Sequence, residues 1–317
     1  MGGDSSRRWR APVRNGVLLY RWHGTARNFG DELNLLLWPR LLPGLLDDDP
    51  AVVFLGIGSV LDARHDAGAL KVVAGAGYGG YEPLPVLDAR WVIHWVRGPR
   101  TARQLGLPAA CGLGDPAMLL PSVGWDRMDD RDAVGFMPHF ESAERGAWAA
   151  AASAAGMKLV DPRGDPAAII AAIGGCRVLL SEAMHGVIVA DSLRVPWIAI
   201  QPLASVHRAK WYDWADTLDL HLEFAPLAAS SLRERLHASR LAALHSGRRL
   251  LHRYGPALDR MAQGWFIEQA ARALTLAAAA APQLSAATAL DRCQTRMLER
   301  LRDVQRNPML ASLPEPA

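Results

Sequence analysis

The chain has 317 residues, half of them hydrophobic and 21% charged, with a formal net charge of +3. That balance suits a folded protein with room for two domains of ordinary size, and no basic block argues for nucleic acid. The 3 cysteines, Cys111, Cys176 and Cys293, stand far apart with no CxxC or Cys/His spacing, which speaks against a metal site and for a reducing, cytoplasmic setting.

The first stretch, "MGGDSSRRWRAPVRNG", is polar and lacks the apolar run of a signal peptide. Its Gly2-to-Ser6 match to a myristoylation pattern is of a kind that chance supplies. A short strand follows, "GVLLY" (Gly16–Tyr20), then a polar loop. "ELNLLLWPRLL" has leucines at helical spacing, with Asp31 placed to cap it. "AVVFLGIGSVL" and "LKVVAGAGYGG" each read as a buried strand entering a glycine turn, and "ARWVIHWVRGPRTARQLG" as strand, turn and a helix stopped by Gly106. "CGLGDPAMLLP" returns to the apolar layer.

After the charged break "GWDRMDDRDA" the pattern restarts. "VGFMPHF" is a strand, "ESAERGAWAAAASAAG" a helix closed by Gly156, and "MKLVDP" a strand. "DPAAIIAAIGGC" is a helix starting at Asp165 with Pro166 as its first residue. "RVLLSEAMHGVIVADSLRVPWIAI" completes strand, helix and strand. Beyond about residue 225 the Ala, Leu, Arg and Glu spacing is helical, and "ALTLAAAAAP" is too short to cross a bilayer. The predicted architecture is α/β: tandem domains with largely parallel sheets over 15–124 and 125–225, and a helical tail over 226–310. That tail either packs across both domains or forms an oligomer contact; the oligomeric state stays open.

In such sheets ligands bind at the carboxyl ends of the strands, beside helix amino termini, so candidate groups lie in the turns that follow strands. "GAGYGG" (75–80) fits a dinucleotide fingerprint, but "YEPLPVLDARW" follows it, and prolines 83 and 85 deny the helix that the motif needs. It reads as a tight turn. "GIGS", with Gly58 and Ser59, either lines a cleft with its amides or is a plain strand-to-helix turn. In "NFGDELN", Asn28, Gly30 and Asp31 fit a capped helix as well as a site. Arg97 ends an apolar strand at "VRGPRT", where a guanidinium suits a phosphate or carboxylate and equally suits a surface loop. His185 sits where a helix begins, at the positive end that attracts anions; a structural histidine is the competing reading. "SVHRAKWYDW" brings His207, Arg208 and Lys210 into one basic segment, an anion-binding arm or a solvated loop.

Taken in order, "NFGDELN", "GIGSVL", "VRGPRTARQLG", "GDPAMLLP", "SEAMHGVIVADSLRVPW" and "HRAKW" resemble the polysaccharide pyruvyltransferase family over roughly 15–220, in its exopolysaccharide (succinoglycan-type) pyruvyl ketolase branch. Many members carry arginine two residues before the histidine; Ala183 stands there, with Glu182 beside it. The resemblance implies two Rossmann-like halves facing a cleft, similar to B-type glycosyltransferases. It also implies phosphoenolpyruvate as donor and a hexose of a lipid-linked or nucleotide-linked oligosaccharide as acceptor, the product being a pyruvate ketal. No cofactor or metal is expected, and peripheral contact with the inner face of the membrane stays open.

On that chemistry His185, Arg97 and Asp31 are the expected catalytic residues, with Arg97 and Lys210 clamping the donor and Asp31 activating a hydroxyl. Asn28, Gly30, Gly58, Ser59, His139, Gly186, Arg208 and Lys210 are the expected substrate contacts. His139, ending "VGFMPH", is a second acid/base candidate. Alanine at His185 or Arg97 is expected to abolish turnover with little change in melting temperature. The competing readings are a nucleotide-sugar glycosyltransferase of the same architecture and a non-catalytic sugar- or phosphate-binding protein.

Overall fold

A computed structural model describes residues 17–24, 26–46, 50–129, 131–203, 208–238 and 262–306. Gly2, Ser6, Gly16 and His207, singled out above, lie outside them.

The first half is a four-stranded parallel sheet in the order β1 (Leu18–Tyr20), β2 (Val52–Leu55), β3 (Leu70–Ala74) and β4 (Trp91–Trp95). Every residue of β2 and β3 is buried, as expected of strands covered on both faces. One helix, α1 (Phe29–Leu41), links β1 to β2, and α2 (Pro99–Gln104) follows β4. The links from β2 to β3 and from β3 to β4 contain no helix, so the expected alternation holds only in part here. "DPAMLLP" enters the apolar layer as a 3-10 helix (Pro116–Val123), capped by Asp115.

The second half is a five-stranded parallel sheet in the order β6-β5-β7-β8-β9. Its strands are β5 (Ala133–Met137), β6 (Lys158–Leu159), β7 (Cys176–Ser181), β8 (Trp197–Ile200) and β9 (Phe224–Ala225). Between β5 and β6 the expected single helix is two, α3 (Phe140–Arg145) and α4 (Trp148–Ala154). Gly146 stands between them at a place only glycine fits, since a Cβ there would meet Ser230 Oγ at 2.4 Å and the Trp148 ring at 2.5 Å. α5 (Pro166–Gly174) starts as its sequence predicts: the Asp165 carboxylate accepts from the Ala168 amide at 2.9 Å, and Pro166 occupies the first turn. α6 (Met184–Ser192) links β7 to β8, and α7 (Ala209–Ala215) precedes β9. The chain leaves β5 for β6 on one side and returns to β7 on the other. The carboxyl ends of β5 and β7 therefore flank a topological switch point, where ligands of open sheets bind.

One apolar core runs through both halves. Phe29, Leu33 and Leu37 of α1 belong to the same buried cluster as Ile169 and Ile173 of α5 and Val187 of α6. Among the described residues the tail contains α8 (Leu232–Ala238), α9 (residues 262–277) and α10 (Ala287–Arg306). α9 packs Ala270 and Leu274 on the second sheet, while α10 buries Met297 and Leu301 in the shared core and touches β4. The tail thus packs across both halves, the first of the two arrangements its composition allowed. No described helix is long and apolar enough to cross a membrane.

Candidate active site

A cavity of about 430 Å³ opens between the carboxyl ends of the two sheets. The first half lends it Asn28, Gly30 and Asp31 at the start of α1, and Gly58 and Ser59 in the turn after β2. The second half lends His139 after β5, His185 at the start of α6, and Lys210 in α7. Three expected contacts, Arg97, Gly186 and Arg208, do not line it.

His185 is the second residue of α6, whose N-cap is Ala183. Its Nε2 is buried and faces Asp115 Oδ2 at 3.4 Å, too long for a strong hydrogen bond. The other oxygen of Asp115 accepts from the Ala117 amide at 3.0 Å, so the buried carboxylate is fixed before it meets the ring. Nδ1 lies on the Gly30 side, where a Cβ would stand only 2.0 Å from it. A carboxylate behind and a bare α-carbon beside it set the plane of the imidazole, an arrangement suited to holding or moving a proton.

Gly30 is thus a glycine within a helix, where alanine is favoured by up to about 1 kcal/mol. Gly30→Ala is expected to displace the ring and cut turnover at least ~10-fold, since misplacing a reacting group by about 1 Å can cost that much or more. The melting temperature should change little; unaltered turnover would show that the ring need not sit where it does.

Asp31 was expected to cap α1, but Asn28 occupies the N-cap position. The Asn28 side-chain amide donates to Asp31 Oδ2 at 2.6 Å and so aims the carboxylate. Burial pushes the Asp31 carboxyl above its ordinary range, against the opposing pull of His185 and the Asn28 hydrogen bond. Gly58 adopts φ +129°, a conformation that favours glycine, and a Cβ there would stand a tight 3.3 Å from Asp31 Oδ1. That turn is held by Asn34, whose side chain donates to the Ile57 carbonyl and accepts from the Ile57 amide, both at 2.9 Å. Burial first, and then the Arg97 charge, push the Lys210 ammonium down to about 8, against the attraction of Asp31, Glu141 and Asp115.

Arg97 is fully buried. Its Nε donates to Asp213 of α7 at 3.1 Å, Nη1 to Ser59 Oγ at 2.9 Å and Nη2 to the Tyr78 carbonyl at 3.1 Å. These donors are turned to protein groups, so Arg97 stands one step behind Ser59 and not, as the expected clamp would, in the cavity wall. The rest of "VRGPRT" belongs to the same junction. Asp213 also accepts from the amides of Arg100 and Thr101 and from the Thr101 hydroxyl, while Arg100 forks onto Asp216 at 2.8 and 3.1 Å. A Cβ on Gly98 would fall 1.9 Å from the Asp213 carbonyl oxygen. This motif latches the first half to α7 of the second.

Gly186 is a packing residue: a Cβ there would meet Ser181 Oγ at 2.5 Å and Met137 Sδ at 2.6 Å, holding α6 off β5 and β7. Arg208 donates to the Pro202 carbonyl through Nε and Nη2 at 3.3 and 3.1 Å. Glu182 turns away from the cavity and accepts from the His139 amide at 2.9 Å and the Leu203 amide at 3.0 Å, which fixes the loop carrying His139. Ala183 lines the cavity without adding a charge. Among the described residues no group of three or more His, Cys, Asp or Glu is placed to hold a metal.

The polysaccharide pyruvyl transferase family model matches residues 86–202. The succinoglycan biosynthesis protein ExoV of Rhizobium meliloti (strain 1021) is 40% identical over 206 residues, 63% of this chain and 64% of that protein. The chain therefore spans less than two thirds of that relative's length. No solved structure matches significantly. The pyruvyl transferase segment contains Arg97, Asp115, His139 and His185, while Asn28, Asp31, Ser59 and Lys210 reach the cavity from outside it.

Sequence reasoning passed over several groups. Asp115 had a signal in "GDPAMLLP", an acid before proline where the chain re-enters the core. Trp22, Tyr81 and Phe140 also line the cavity, each in a segment just beyond a strand, with Glu82 and Glu141 beside them. Their common feature, aromatic beside acid after a strand, was readable but indistinct from ordinary loop composition.

Proposed function

We propose that the chain moves the pyruvyl group of phosphoenolpyruvate onto a hexose of an exopolysaccharide precursor, forming a cyclic pyruvate ketal and releasing phosphate. The observation that carries this is the inner end of the cavity, where His185 backed by Asp115, Lys210 and Asp31 converge. A donor with a carboxylate and a phosphate requires fixed cations and helix amides at close range, and Lys210 and the start of α6 supply them. The match to a succinoglycan biosynthesis protein supports an acceptor of that class, lipid-linked or nucleotide-linked. Two parallel sheets around one cleft support the likeness to B-type glycosyltransferases.

The chemistry balances on these groups. A proton is delivered to the donor's methylene carbon, which makes the central carbon electrophilic. One sugar hydroxyl attacks that carbon and loses its proton to a base, for which Asp31 is poised. The bond from carbon to phosphate oxygen then breaks, and a second hydroxyl of the same sugar closes the ketal and releases the second proton. His185 is placed to move a proton, and Lys210 to hold the leaving phosphate.

Phosphate release from phosphoenolpyruvate with a panel of lipid-linked oligosaccharides tests the reading; turnover of a nucleotide sugar without phosphate release would overturn it. The pH profile adds a second check. Above about 8, Lys210 loses its charge and kcat/KM is expected to fall about tenfold per pH unit. Lys210→Arg is expected to move that limb upward by at least a unit or two, since guanidinium stays charged. An unmoved alkaline limb would remove Lys210 from the donor site.

A further inference from the structure

We propose that the mouth of this cavity is a stacking subsite for an uncharged hexopyranose, built by Trp22, Phe140 and Tyr81. The proposal rests on the pyruvyl-transfer reading and names where its acceptor sits. Trp22 follows β1 and Phe140 opens α3, so the two rings come from different sheets, yet their centroids lie 6.0 Å apart at a 53° tilt on one cavity wall. Tyr81, from the segment after β3, is 41% exposed. This placement departs from the habit of the chain, whose Trp38, Trp95, Trp148, Trp197, Trp211 and Trp214 are sunk in the core.

Two of the rings have glycine seats. A Cβ on Gly24 would fall 1.9 Å from the Trp22 ring, and one on Gly79 would fall 2.4 Å from the Tyr81 ring. Each ring thus lies close against bare backbone while lining the cavity. An apolar ring face beside hydrogen-bond acceptors matches a pyranose, which presents C–H groups on its faces and hydroxyls round its edge. Glu82 and Glu141 line the same wall and supply the acceptors.

Charge separates this end from the inner one. The inner end carries Lys210 under the influence of Arg97, which suits an anionic donor. At the mouth, Arg64 is committed to Asp62 through Nε and Nη2 at 3.0 and 2.6 Å, and Glu141 pairs with Arg145 at 3.3 Å, which leaves Glu82 to set the sign. A neutral hexose fits there, and a uronic acid is repelled. A sugar stacked at the mouth turns one edge inward, toward Asp31 and His185, so two of its hydroxyls meet the donor carbon.

The test uses the full chain and three probes: methyl β-glucopyranoside, methyl β-galactopyranoside and methyl β-glucopyranosiduronate. Their binding is followed by ligand-observed NMR, with phosphoenolpyruvate binding measured separately by calorimetry. At least one neutral hexoside is expected to bind, and the uronide more weakly. Trp22→Ala and Phe140→Ala are each expected to weaken the hexoside roughly fivefold to tenfold while phosphoenolpyruvate binds as before. Trp265→Ala, an exposed ring of α9 outside the cavity, should change neither. Retained phosphoenolpyruvate binding shows that a variant is folded. No hexoside binding by the native chain, unchanged affinity in both mouth variants, or a preference for the uronide would each overturn the subsite. If hexosides bind as expected but phosphoenolpyruvate neither binds nor releases phosphate, the subsite stands and the pyruvyl-transfer reading falls.

Discussion

Alanine at His185 is expected to lower phosphate release roughly 10²- to 10⁴-fold, the range that a positioned acid or base contributes. The residue stands at the carboxyl end of β7, beside the switch point with β5, and its ring is held by Asp115 and Gly30 rather than by core packing alone. Its side chain is 13% exposed and already lines a cavity, so the space vacated by alanine opens to water instead of forming a sealed void. The melting temperature should therefore change little. Saturation kinetics separate the two roles the imidazole can have. Loss confined to KM for phosphoenolpyruvate would mean that it holds the phosphate; loss in kcat at saturating donor would mean that it moves a proton. Asp115→Asn is expected to show a kcat loss of the same kind with His185 still present, because the carboxylate sets the imidazole's proton and plane. Rates within tenfold of the native chain in both variants would reduce His185 to a packing residue.

How much of this was legible in the sequence divides along a physical line. Strand-turn-helix order is written in local periodicity, so α5 with its Asp165 cap and Pro166 start, and α6 with His185 in its first turn, were readable. The GAGYGG segment was readable as a turn, and the structure shows no helix between Tyr78 and Arg90. What was not readable depends on how the sheets dock. Arg97 and Asp213 are 116 residues apart, and nothing local to either marks them as partners. An arginine closing a strand before Gly-Pro looks the same whether it grips a phosphate or a carboxylate from the other half. Gly30 illustrates the reverse case. It was legible as special, but the reason, contact with a ring 155 positions along the chain (185 − 30), exists only in three dimensions. The need for glycine at 146, between α3 and α4, was hidden likewise, because the obstruction comes from Ser230 as well as from neighbouring Trp148.

Arg97 is the residue for which expectation and structure part most widely, and its removal should show as lost stability before lost chemistry. The guanidinium is fully buried, and Asp213 is 3% exposed. Deleting one member of such a pair leaves the other as an uncompensated buried charge, at a cost of about 3–5 kcal/mol. For a chain of this size that corresponds to a fall of roughly 4–8 °C in melting temperature. Arg97→Ala is therefore expected to melt early. Its turnover should fall as well, because Ser59 loses the donor that aims its hydroxyl and Lys210 loses the neighbouring charge that lowers its affinity for protons. Below the melting transition, the alkaline limb of the pH profile should move upward, the direction opposite to a simple loss of positive charge from the donor site. A double-mutant cycle with Asp213→Asn isolates the latch: the two substitutions together should destabilise by less than the sum of the single changes. Strict additivity, or an Arg97→Ala chain that melts with the native one while losing phosphoenolpyruvate affinity, would return Arg97 to the donor-clamping role its position in the sequence suggests.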